Sequence, residues 1–111
     1  MVGRRDAERD IRGRPIDLTG ANLTYAFLER VNLTRVILDG ADLSGADLRR
    51  AYLRGAYLRG ADLVYTDLTD THLDGANLTG ADFDGTRWSE GAASPEGWTQ
   101  DSRGRLRLTR T

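Results

Sequence analysis

The sequence predicts an all-β solenoid, a chain that turns a corner every five residues and stacks its turns as parallel rungs. Three observations predict it. From Ile16 to Glu90 the chain divides without interruption into fifteen five-residue units, running from IDLTG through ADLSG and AYLRG to TRWSE. The third position is Leu in thirteen units and then Phe83 and Trp88, while the first is Ala, Thr, Val or Ile throughout. Glycine recurs every twenty residues, at Gly20, Gly40, Gly60 and Gly80, each followed by an alanine.

The five-residue period excludes the common elements. An α-helix would smear it around the circumference, and a flat strand would alternate by two. A corner in every unit keeps both apolar positions inside, with glycine free to adopt φ > 0 where the turn needs it. The columns defined by a twenty-residue frame differ from one another. One corner holds glycine in every coil, a second (Arg30, Arg50, Asp70, Glu90) never does, and a third alternates Tyr25, Gly45, Tyr65, Gly85.

These units resemble the pentapeptide-repeat family, A(D/N)LxX, over about two-thirds of the chain. The resemblance implies a right-handed quadrilateral parallel β-helix, with four units to a coil. Fifteen units then make about four coils, a prism roughly 18 Å tall at a rung spacing of about 4.8 Å. Its open ends need covering, since unpaired rungs invite further pairing. The expected organisation is an N-terminal cap or arm over residues 1–15, the repeat over 16–90, and a C-terminal cap over 91–111. In that last segment GWTQDSRGRLRLT reads as a small hairpin, with a turn at Asp101–Gly104 and alternating Leu106 and Leu108. No amphipathic helix follows the repeat, so the C-terminal helical dimer of some family members is not expected, and the chain reads as a monomer or weak dimer.

Composition bounds the function. Of 111 residues, 39% are apolar and 30% charged, lean for a globular core but sufficient for a solenoid that buries one or two side chains per unit. Without cysteine there is neither a disulfide nor a thiolate metal site. All sixteen basic residues are arginine. The net charge of −1 conceals an acidic repeat between two mildly basic ends, none basic enough to hold nucleic acid by phosphate contacts alone. No apolar h-region or membrane span is visible, and the reading is a soluble, cytoplasmic, bacterial protein.

Catalysis requires a nucleophile beside a base, or paired carboxylates in a dry pocket. The single histidine, His72, sits at an outward second position and reads as a surface residue. One histidine among scattered aspartates makes no zinc site. The expectation is no enzyme, no cofactor and no metal.

Two surfaces remain as binding candidates. Arg49, Arg50, Arg54 and Arg59 interleave with Tyr52 and Tyr57 like a single-strand nucleic-acid surface. However, the frame sets each beside an acid one coil away: Glu29, Asp70, Asp74 and Asp39 respectively. They therefore read as rung-to-rung ion pairs. Asp67 can likewise pair with Arg87, which leaves Asp47 over. The first candidate surface is acidic: Asp42, Asp62 and Asp82 in one column, with Asp84 and Asp47 beside it and no arginine. Either each carboxylate is used locally, accepting turn amides, or the column needs its negative field. The second is apolar: Ile37, Tyr52, Tyr57 and Phe27 occupy second positions where Asp or Asn is the norm.

The functional expectation is a non-catalytic, rigid protein-binding module. The family resemblance implies an alternative, a DNA mimic that binds a type II topoisomerase such as gyrase and protects or inhibits it. A third reading is an accessory factor or enzyme of a biosynthetic pathway.

Overall fold

A computed structural model describes residues 13–108 of the chain. The N-terminal cap expected over 1–15 falls, for residues 1–12, outside the described residues, as do positions 109–111 of the expected C-terminal cap.

The second residue of each unit forms the rungs. Among the described residues, eleven single-residue parallel bridges join residue i to residue i+20, beginning with Asp17 to Ile37 and ending with Asp67 to Arg87. They fall into four columns: Asp17–Ile37–Tyr57–Asn77, Asn22–Asp42–Asp62–Asp82, Phe27–Asp47–Asp67–Arg87, and Asn32–Tyr52–His72. Each rung is held from both sides. Leu43 N donates to Asp62 O (2.8 Å) and Asp62 N to Ala41 O (2.9 Å), and the pairing continues into the corner with Gly45 N to Val64 O (3.0 Å).

A corner closes with the next unit's first amide donating back to the leucine carbonyl, as Ala46 N does to Leu43 O (3.0 Å). The residue just before that amide must then take φ > 0, as the third residue of a type II turn does. Every fifth-position residue from Gly20 to Gly85 does so. The corner without glycine is no exception: Arg30, Arg50 and Asp70 adopt φ of 64°, 61° and 58°. Coil closure therefore imposes the left-handed conformation whatever the side chain, at a cost of about 1–2 kcal/mol per residue where a Cβ is present. Tyrosine and glycine alternate at the third corner for a steric reason. The Tyr25 ring lies over Gly45 and the Tyr65 ring over Gly85, where an added Cβ would meet them.

The leucines fill the axis. Leu38, Leu43, Leu48, Leu53, Leu58 and Leu63 are fully buried, while those of the first coil (Leu18, Leu23, Leu28, Leu33) are only partly covered. Where threonine takes the first position its hydroxyl is satisfied internally. Thr66 Oγ1 donates to Leu43 O and Thr86 Oγ1 to Leu63 O, each at 2.6 Å.

The repeat ends against a hairpin. Phe83 is buried, with Trp88 and Trp98 edge-on to it at 6.0 and 5.7 Å. Strands β1 (Trp98–Gln100) and β2 (Leu106–Leu108) pair antiparallel. Asp101 makes the turn, its Oδ1 accepting the amides of Arg103 (2.8 Å) and Arg105 (3.0 Å). β2 then crosses the last coil. Leu106 N donates to Thr86 O, Gly85 N to Leu106 O, and Arg87 bridges antiparallel to Arg105. The upper end of the third column is thereby covered, and Leu106 is buried.

Candidate protein-binding surfaces

The ladder places Asp42, Asp62 and Asp82 in consecutive rungs. Each first serves its own turn. Asp42 Oδ1 accepts the Ser44 amide (3.0 Å) and hydroxyl (2.7 Å), Asp62 Oδ1 the Val64 amide (3.0 Å), and Asp82 Oδ1 the Asp84 amide (3.0 Å). The asparagines do the same, Asn22 holding Thr24 and Asn77 holding Thr79. This is the short-range hydrogen bonding that makes Asp and Asn turn residues. The Ser44 amide and hydroxyl hold the Asp42 carboxyl below the usual carboxylate range. Among the described residues, Oδ2 of all three carboxylates accepts no hydrogen bond and no arginine pairs with any of them.

The two flanking acids differ from expectation. Asp47 is neutralised by Arg49 of its own unit, which grips it with Nε (2.8 Å) and a terminal nitrogen (2.7 Å) and holds its carboxyl low. The column frame had given Arg49 to Glu29, which stands farther off at 3.6 Å. The short link from residue 47 to 49 wins because Asp47 Oδ1 already accepts the Arg49 amide (3.1 Å), which brings the two side chains together. Asp84 also has a cation, Arg107 at 3.2 Å, which the hairpin brings back over the last coil. Of the remaining pairs, Arg59–Asp39 (2.5 Å), Arg54–Asp74 (3.6 Å) and Arg87–Asp67 (4.0 Å) form as the columns predict. Arg50 turns instead toward Glu29 at 4.0 Å, and no Arg50–Asp70 pair forms. Asp39 has a second use. Tyr57 cannot cap its own turn, and Asp39 Oδ1 one coil below accepts the Arg59 amide in its place (3.0 Å).

The apolar candidates separate. Ile37 and Tyr57 are neighbours in the first column, with the Arg59 guanidinium over the Tyr57 ring at 5.6 Å. Tyr52 stands in the fourth column, stacked on His72 with centroids 4.8 Å apart and planes within 4°. That stacking holds the histidine ring against its neighbour. Phe27 belongs to the third column, bridged to Asp47, and is not part of this patch.

The most exposed aromatic side chains lie elsewhere. Phe27 is 92%, Tyr25 75% and Tyr65 59% exposed, against 44% for Tyr52 and 41% for Tyr57. Tyr25 and Tyr65 were not among the sequence candidates, although an aromatic residue at a fifth position otherwise rich in glycine was a visible signal. Arg105 lies over the Tyr65 ring at 5.9 Å.

Among the described residues no three His, Cys, Asp or Glu side chains are grouped to hold a metal ion. The clefts are open ones at the ends of the stack, such as the roughly 590 Å³ hollow beside Leu78, Phe83, Trp98 and Leu108.

Residues 16–50 and 51–87 match the pentapeptide repeats family, in eight copies. The chain belongs to the pentapeptide repeat family. Among solved structures, a pentapeptide repeat protein (Rfr23) from the cyanobacterium Cyanothece 51142 is 33% identical, with a TM-score of 0.55 over 68% of this chain and 65% of that one. The chain thus spans a little under two thirds of that relative's length. A pentapeptide repeat protein of the Arabidopsis thaliana thylakoid lumen is 32% identical over 60% of this chain and 64% of that one, with a TM-score of 0.36. No curated protein sequence matches the chain. In this pentapeptide repeat chain the consensus Asp or Asn has a local purpose in every unit that carries it, so departures from consensus are the better guide to function.

Proposed function

We propose that this pentapeptide repeat chain is a rigid, non-catalytic protein-binding module whose rungs close as a right-handed quadrilateral β-helix. The observation that carries the reading is the display of large aromatic side chains on a frame that has no structural need of them. Phe27 stands almost fully exposed where Asp or Asn would cap the turn. A prism with its interior sealed by leucine offers partners its faces and corners, and rigid aromatic anchors are what protein interfaces favour. The module is read as acting in the bacterial cytoplasm. The test is affinity capture from the native host with wild-type protein and with a variant carrying Phe27→Asn and Tyr57→Ser. A partner retained by wild type and lost by the variant supports the module. Equal recovery of the same proteins by both, or none by either, refutes it.

A second reading has its own observation. Asp42, Asp62 and Asp82 form a row of carboxylates with no arginine beside them among the described residues, as a phosphate backbone would present charge. A DNA mimic of this kind would compete with DNA for the basic channel of a type II topoisomerase, more weakly as salt rises. The triple change Asp42→Asn, Asp62→Asn, Asp82→Asn keeps every Oδ1 acceptor, as Asn22 shows. Wild type should inhibit gyrase supercoiling at low salt and the triple variant should not. No effect of wild type at low salt removes the mimicry reading.

A further inference from the structure

We infer that the corner between the second and third columns is the partner-contact surface, and that its occupant is a protein segment in which arginine or lysine alternates with apolar side chains. The inference rests on the binding-module reading and names the surface and the chemistry of its partner.

Three features meet at this corner. Tyr25 and Tyr65 project from it, two coils apart and so separated by about 10 Å along the stack. Each ring is propped over the glycine of the coil between or beyond, Gly45 and Gly85. Both rings remain largely exposed. Phe27, two residues beyond Tyr25, adds a third ring on the adjoining face. On the other side, three residues before the corner, run Asp42, Asp62 and Asp82.

The charge beside the rings identifies the occupant. On the third face Asp47 and Asp67 have their arginines, Arg49 and Arg87. On the second face the three carboxylates have none among the described residues, where only Oδ1 of each is engaged, holding the turn. An apolar segment without cations would leave those carboxylates desolvated and unpaired, which is costly. A purely basic segment would leave the rings in water. Alternation along an extended segment satisfies both, because its successive side chains point to opposite sides, one row toward the carboxylates and the other toward the rings. Arg105 against Tyr65 already shows one guanidinium using a ring of this row. The diagonal corner at Gly55 is a poorer candidate. Its rings are less exposed, Tyr52 44% and Tyr57 41%, against 92% for Phe27, 75% for Tyr25 and 59% for Tyr65.

The probe is a twelve-residue peptide of alternating arginine and leucine, compared with an arginine–serine peptide of equal length and charge. Binding is followed by amide chemical shifts of labelled protein. The arginine–leucine peptide should bind at least about fivefold more tightly, shifting the amides of Tyr25, Phe27, Asp42, Asp62 and Tyr65. Tyr25→Asn, Phe27→Asn and Tyr65→Asn together should abolish that preference, and asparagine tolerates the left-handed corner. Phe27→Asn alone, at a position with almost no packing to lose, should reduce it even if the triple variant folds poorly. Asp42→Asn, Asp62→Asn, Asp82→Asn should weaken both peptides and flatten their salt dependence. Equal affinity for the two peptides, shifts centred on Tyr52 and Tyr57, or no binding of the arginine–leucine peptide each overturns the assignment of this corner. Those results leave the module reading to its own capture experiment, where Tyr57→Ser would then carry the loss.

Discussion

Leu48→Ala probes the stacked interior most sharply. Leu48 is fully buried in the middle of the third column's leucine row, with a coil on either side. Its carbonyl also receives the Thr71 hydroxyl at 2.7 Å. Rung hydrogen bonds on both sides keep the backbone from collapsing into the space, so the lost methyl groups leave a cavity. Truncation of a buried leucine under such restraint costs about 3–5 kcal/mol. For a domain of this size each kcal/mol lowers Tm by roughly 4–8 °C, so a fall of about 12–40 °C is expected. Leu28→Ala, one coil lower where the leucine is only partly buried, should cost about half as much. Arg49→Ala removes an exposed ion pair and should cost under about 1 kcal/mol. Urea melts of the three variants, compared at constant m-value, give the ranking. Equal losses at Leu48 and Leu28 would mean that the axis is not packed most tightly in the central coils. A loss at Arg49 matching that at Leu48 would refute the inward and outward assignment of positions.

Three further outcomes follow from the corners and their caps. Asp42 and Asp47 both have carboxyls held low, by Ser44 and by Arg49 respectively, so their contribution to stability is full above the unfolded carboxylate value of 3.8 and is lost as pH falls below it through the folded value. Acid melts of Asp42→Asn should show a shallower loss between pH 4 and pH 2 than wild type, and an unchanged slope would deny the cap. Gly85→Ala should destabilise by about 1–2 kcal/mol, since it adds a Cβ at φ 72° beneath the Tyr65 ring. Arg50→Gly, by contrast, relieves the same strain at an open corner and should be neutral or slightly stabilising in a thermal melt.

Much of this architecture was legible because the repeat leaves one arrangement that buries both of its apolar positions. The twenty-residue recurrence of glycine marked the columns that the bridges from Asn22 to Asp82 trace. Pairings that depend on the columns alone, Arg59 with Asp39 and Arg54 with Asp74, could be read the same way. Arg49 could not, because the column argument weighs only neighbours one coil away and misses a carboxylate two residues off in the same unit. Asp84 was misjudged for another reason. Its partner Arg107 lies in the tail, and the repeat carries no information about how the hairpin folds back across the last coil. The exposed aromatic residues were read by position in the unit, which finds Phe27 but overlooks Tyr25 and Tyr65. Their alternation with glycine at the third corner was visible in the sequence, but the packing of each ring over the next coil's glycine was not.

Both candidate surfaces depend on one claim, that residue i lies beside residue i+20. Engineered disulfides test it directly, because a disulfide needs Cα atoms about 4.4–6.8 Å apart and adjacent rungs lie about 4.8 Å apart. The native chain has no cysteine to interfere. Asp42→Cys with Asp62→Cys should cross-link nearly completely under mild oxidation, read by mass spectrometry, while Asp42→Cys with Tyr57→Cys, one unit short, should stay reduced. Efficient closure of the second pair and not the first would contradict the four-unit coil and every surface built on it.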